Sequence, residues 1–144
     1  MHHISIYDTD VPHVSRFKLK KHDEEQLIRS LDVVLTKLSK EEELSGFLSS
    51  LLSPTERLML AKRLAIIVLL KEGFSQVDIS RALHITRETV SRMQLLHEAK
   101  GEGYELALKK LDEEKSMLEL KKLLINIARY SIRAAGGYVK PTIF

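Results

Sequence analysis

No cysteine occurs among the 144 residues, so neither a disulfide nor a thiolate metal site can hold this chain together. Long apolar runs are missing too. The longest, Leu64 to Leu70, is far below the roughly 20 residues a membrane-spanning helix needs. The first ten residues are polar and no apolar stretch of a secretory signal follows them, so the cytoplasm is the expected address and a membrane is not an expected partner. No phosphate-cradling glycine loop is present, and no helix carries a His/Glu pair at metal-ligand spacing. Enzymatic activity, a metal and a cofactor are therefore not expected. His2, His3 and His13 cluster near the start but lack carboxylates at ligand spacing. Extreme charge is absent as well. The excess of 23 Lys and Arg over 20 Asp and Glu gives +3 and a pI near 9.1, which permits a polyanionic partner without demanding one.

What is present is a helical pattern from end to end. With 44% hydrophobic and 30% charged residues, the chain can bury a core and stay soluble. Residues 1–21 lack helical periodicity and read as an arm, with a basic cluster at Arg16, Lys18, Lys20 and Lys21. Leu27, Leu31, Val34, Leu35 and Leu38 then form an apolar stripe at three-four spacing. Ser39 with Glu42 predicts a capping box that opens a second helix carrying Leu44, Phe47, Leu48, Leu51 and Leu52. Ser53-Pro54-Thr55-Glu56 predicts the start of a third, with Ser53 as cap, Pro54 at the first helical position and Glu56 reaching back. That helix runs to a stop at Gly73. Its second half is apolar on nearly every side, which in so small a chain suggests a surface covered by a partner. Further on, Lys100-Gly101-Glu102-Gly103 predicts a break, a helix is expected from near Tyr104, and a long helix over 112–135 ends at Gly136-Gly137. No strands or repeats are expected.

The stretch Ser75 to Met93, SQVDISRALHITRETVSRM, is the part that carries function. Ile79 and Leu83 share a face of one helix, Val90 and Met93 share a face of a second, and Ile85 is the apolar residue of the turn between them. Ser75 with Asp78 caps the first helix, and Thr86 caps the second. Ser80 is small enough to let the two helices cross closely. A connection of about four residues suits a helix-turn-helix. The second helix opens with Arg87, Glu88, Thr89, Ser91 and Arg92, side chains suited to phosphates and base edges. The place in the turn that usually takes glycine is His84, which must adopt a left-handed conformation at some cost.

The run LLSPTERLMLAKRLAIIVLLKEGFSQVDISRALHITRETVSRMQ resembles the tryptophan repressor family. The resemblance extends over roughly residues 25–111 and is strongest at Leu52 to Arg57, at Arg63 and in the Ser75–Arg92 pair. The later KGEGYELALKKL looks like the branch of that family without assigned tryptophan binding. The resemblance implies an all-α, intertwined homodimer, and the way the helix-turn-helix docks on DNA comes from the family and not from this sequence. It also implies that Arg63 and Arg92 match the two arginines between which the family holds an indole. Met93 stands where the family has a small glycine, and Leu96 where it has a polar serine. This pocket is thus expected to be a relic, with Arg63 pairing instead with Glu56 or Glu72 and Arg92 reaching phosphate.

These readings divide the chain into an arm at 1–21, a repressor-like domain at 22–111 with its helix-turn-helix at 75–98, and a C-terminal helix and tail at 112–144. The expected function is a sequence-specific, homodimeric regulator of transcription that binds double-stranded DNA and has no small-molecule effector. Gln76, Arg81, Thr86, Arg87, Glu88, Thr89, Ser91 and Arg92 are the expected DNA-contacting residues. A helical protein–protein adaptor and a DNA-binding accessory of a mobile element remain as alternatives.

Overall fold

A computed structural model describes residues 17–112 and 115–136. These residues form seven helices and no strand: α1 (Lys21–Lys37), α2 (Glu41–Leu51), α3 (Pro54–Lys71), α4 (Gln76–Leu83), α5 (Arg87–Lys100), α6 (Glu102–Asp112) and α7 (Lys115–Ala134). The all-α class expected from the sequence is therefore what is found. The chain divides into two compact units, residues 1–51 and 52–144. The arm residues His2, His3, His13 and Arg16 and the terminal Gly137 lie outside the described residues.

The first unit holds α1 and α2 and buries no described residue. Leu27, Ile28, Leu31, Val33 and Val34 are all exposed on α1. The helix α2 starts at Glu41, so Ser39 lies one residue outside the capping position and the expected Ser39–Glu42 box does not open it. Glu41, Glu42 and Glu43 instead place three carboxylates beside the unpaired N–H groups of the first turn, where the helix dipole favours negative charge.

The second unit is built around α3. Its start is the full capping box: Ser53 Oγ accepts from the Glu56 N–H at 3.3 Å, and the Ser53 N–H donates to Glu56 Oε2 at 2.8 Å. The two hydrogen bonds from Ser53, the backbone one foremost, hold the Glu56 carboxyl below its ordinary range. At the other end Gly73 takes φ +86, and the Phe74 N–H turns back to the Leu69 carbonyl at 3.1 Å. Between these ends Ala65 to Leu69 are five consecutive buried residues. A helix turns about 100° per residue, so five in a row cover its whole circumference. This corrects the expectation of a partner surface here: α4, α5 and α7 of the same chain pack around this half. The exposed apolar residues of α3 are in its first half, at Leu58, Met59 and Leu60.

The segment after α5 is tighter than expected. Only Gly101 separates α5 from α6, which begins at Glu102, two residues before Tyr104. A Cβ on Gly101 would run into the carbonyl oxygen and ring of His97, so the turn requires glycine. The long C-terminal helix starts at Lys115, and Gly136 with φ +78 follows its end. Its apolar face, with Met117, Leu124 and Ala128, joins the core cluster, and α4, α6 and α3 are its neighbours. Because α7 is part of this core, Leu124→Ala is expected to cost about 2–5 kcal/mol in chemical denaturation, as for other buried leucines. A loss below about 0.5 kcal/mol, typical of surface changes, would mean that α7 is an appendage.

The turn between α4 and α5 has His84 at φ 51 and ψ 54, the left-handed conformation expected from the sequence. This lets the Ile85 N–H return to the Ser80 carbonyl at 3.0 Å. A side chain there costs about 1–2 kcal/mol, and glycine loses roughly 0.5–1 kcal/mol in added unfolded-state freedom. The first effect wins, so His84→Gly should stabilise the protein by about 0.5–1 kcal/mol, read as a rise in melting temperature. A fall would show that the imidazole makes a compensating contact.

Candidate nucleic-acid interface

Two short helices and a three-residue turn, His84-Ile85-Thr86, form the candidate site. The helix α4 is capped by Ser75 Oγ, which accepts from the Asp78 N–H at 3.1 Å. The helix α5 is capped by Thr86 Oγ1, which accepts from the Thr89 N–H at 3.2 Å, and the two threonine hydroxyls lie 2.9 Å apart. Ile79, Ala82 and Leu83 of α4 and Val90 and Met93 of α5 are buried together against α3. Burying that face turns the opposite face of α5 outward. Thr86, Arg87, Glu88, Thr89 and Arg92 are exposed there and Ser91 is half-buried. The polar residues singled out at the start of the second helix thus share one accessible end of one helix. Arg81 is exposed on α4.

Three further candidate residues are engaged with neighbours. Arg92 Nη2 donates to Glu88 Oε1 at 3.1 Å, one helical turn apart. Exposed pairs of this spacing contribute only about 0.3–0.5 kcal/mol, so the Glu88 side chain can leave at little cost. Gln76 Nε2 donates to Gln94 Oε1 at 2.8 Å, and Gln94 Nε2 donates in turn to Glu98 Oε1 at 3.0 Å. The half-buried first link clasps the start of α4 to the middle of α5. An amide nitrogen has two hydrogens, so Gln76 keeps one to donate elsewhere.

The far end of α5 is tied down by residues that the sequence reading did not single out. His97 Nε2 lies 3.2 Å from Glu105 Oε1, and Glu105 Oε2 accepts from the Lys71 ammonium. This links the last turn of α5 to α6 and to the end of α3. Its hydrogen bond from Lys71 is the main reason the Glu105 carboxyl sits below its ordinary range, against a weaker opposing effect of desolvation. A lowered carboxylate contributes stability that is present above the unfolded value and is lost as pH falls through the folded one. With Nε2 on the carboxylate, Nδ1 of His97 is buried without a hydrogen-bond partner, and the ring meets Tyr104 edge-on at 6.0 Å. Gln94, which accepts from Gln76, was not singled out by the sequence reading either. Lys71, His97 and Glu105 are brought together across 34 residues by the α5–α6 turn, which no local pattern announces.

The arginines of the expected relic pocket are both exposed, Arg63 on α3 and Arg92 on α5. The partners expected for Arg63 are engaged elsewhere: Glu56 with Ser53, and Glu72 with Lys121 at 3.0 Å. Met93 is a core residue, and Leu96 is half-buried. Among the described residues no group of three His, Cys, Asp or Glu is placed to hold a metal, and no helix is long and apolar enough to cross a membrane.

Comparison with known proteins agrees with this geometry. No curated protein and no solved structure matches the chain. The family model described as Trp repressor protein matches residues 26–112, which takes in α4 and α5 and most of the helices around them. The chain belongs to the Trp repressor family.

Proposed function

We propose that this member of a family of DNA-binding transcriptional regulators is a sequence-specific, homodimeric regulator whose DNA binding does not depend on tryptophan. The observation that carries the reading is the capped α5, which buries Val90 and Met93 and leaves Arg87, Glu88 and Thr89 accessible at its N-terminal end. In a helix-turn-helix that end enters the major groove while the first helix crosses the backbone. Arg87 then pairs with guanine and Glu88 accepts from cytosine, the pairings that donor and acceptor geometry favours. Glu88 is released for this by breaking its weak pair with Arg92, which turns to a phosphate. Thr86, Thr89 and Ser91 supply hydroxyls at the same end, and Gln76 and Arg81 reach the backbone from α4.

Dimerisation is supported by the apolar surface left over. Leu27, Ile28, Leu31, Val33 and Val34 on α1 and Leu58, Met59 and Leu60 on α3 are exposed. A soluble monomer rarely leaves so many large apolar residues uncovered on two helices, and a second copy of the chain offers the same surfaces in return.

If Arg87 reads a base, Arg87→Ala weakens binding to the preferred duplex by about 1–3 kcal/mol and relaxes preference at one base pair. Fluorescence anisotropy against a panel of single-base variants of the site measures both. An unchanged preference would remove Arg87 from the base-reading set.

Independence from tryptophan rests on Met93 and Leu96. A ring entering beside Met93 must overpack the core or displace a buried side chain, at about 1–3 kcal/mol. A leucine in place of a hydroxyl forfeits roughly 1 kcal/mol more. Together these weaken a site by about ten-fold to a thousand-fold. Calorimetry with millimolar tryptophan is expected to show no saturable heat, and DNA binding is expected to be the same with and without it. A saturable heat accompanied by tighter DNA binding would show that Met93 moves aside.

A further inference from the structure

The helix-turn-helix is poorly supplied with charge. Between Ser75 and Lys100 it has four basic residues, Arg81, Arg87, Arg92 and Lys100, against three acidic ones, Asp78, Glu88 and Glu98. Affinity for a duplex depends largely on how many phosphates are neutralised, so a nearly neutral reading head needs cations from elsewhere in the fold.

The helix α7 has them. It carries five Lys and Arg against a single Glu, and no acidic residue occurs from Leu120 to Gly136. Its apolar face is committed to the core, and α4 is a principal neighbour. Beside that face Lys122, Asn126, Arg129 and Arg133 recur at intervals of four, three and four residues, which places them in one stripe along the helix. Lys122, Asn126 and Arg133 are exposed and Arg129 is half-buried. The preceding residue, Lys121, is held by Glu72 at 3.0 Å. Glu72 lies three residues before the Ser75 cap, so this contact sets the turn of α7 that bears Lys122 beside the segment leading into α4.

We infer that the Lys122–Arg133 stripe of α7 is a second DNA-backbone contact, which extends the phosphate footprint of the helix-turn-helix beyond α4. The inference rests on the DNA-binding reading given above. The occupant is the duplex backbone because α7 is fixed on the helix that crosses that backbone in a helix-turn-helix, and because the stripe is purely cationic and amide. Between Lys122 and Arg133 the stripe contains no acidic side chain; Glu119 lies one turn before it, and the exposed Leu123 and Tyr130 flank it. It also lies outside residues 26–112, so it is a feature of this chain added to the matched family region. Phosphate contacts carry no base information, so α7 adds affinity and leaves site preference alone.

The test is a salt titration of duplex binding by fluorescence anisotropy. It compares the full chain, the Lys122→Gln variant, the Lys122→Gln/Arg133→Gln variant and the charge-preserving Lys122→Arg/Arg133→Lys variant. The slope of log affinity against log salt is expected to become shallower by about 0.9 for each phosphate contact removed, so by about 1.8 per protomer, or about 3.6 per bound dimer, in the neutralised double variant. Ranking among single-base variants of the site is expected to be unchanged, and the charge-preserving variant should keep the wild-type slope. Circular dichroism establishes that each variant has the wild-type helicity. A wild-type slope in the neutralised double variant, beside wild-type protein that binds the duplex, overturns this inference and leaves the DNA-binding reading standing. So does a shallower slope in the charge-preserving variant as well. Wild-type protein that binds no duplex overturns both.

Discussion

The structure depends on one constraint: the second half of α3 is apolar on all sides and must be surrounded. Ile66, Ile67, Val68 and Leu69 are almost wholly excluded from solvent. At roughly 1.5–3 kcal/mol for each fully buried aliphatic side chain, this single turn of helix is where the favourable free energy is concentrated. Satisfying it requires α4, α5 and α7 to present their own apolar faces. The orientation of α5 follows from that, because burying Val90 and Met93 points the opposite, polar face at solvent. The surface proposed to read DNA is therefore set by what lies behind it.

Polar contacts then fix what apolar packing leaves loose. Packing selects the face of a helix but allows it to slide and rotate by small amounts. Thr86 holds the N-terminal end of α5, the Gln76–Gln94 hydrogen bond clasps its middle to α4, and the Lys71–Glu105–His97 group anchors its last turn. A side chain that must meet a base edge within hydrogen-bond distance needs this kind of definition at both ends of its helix. Buried Met93 belongs to the same framework.

Much of this was legible in the sequence for local reasons. Capping signals act within four residues, so Ser53 with Glu56, Ser75 with Asp78, and Thr86 marked three helix starts correctly. The turn at His84 was legible because helix ends demand a left-handed residue. Errors arose where local rules compete. Ser39 and Glu42 have the spacing of a capping box, but the helix starts at Glu41 with three carboxylates in its first turn. Two glycines at 101 and 103 look like a loop, yet one, pressed against His97, suffices for the turn and the other sits inside α6. The apolar half of α3 was read as a partner surface because sequence alone cannot show that α7, more than 40 residues away, returns to cover part of it. The same blindness to long-range pairing hid His97 and Glu105 from the candidate site.

The proposed function has α5 reading DNA in a two-fold symmetric protein. Selection of bound duplexes from a random pool, followed by sequencing, tests it most directly. The expected result is enrichment of one motif as an inverted repeat, with half-site centres about one helical turn, or a multiple of it, apart. Recovery of a pool no different from the input would contradict it.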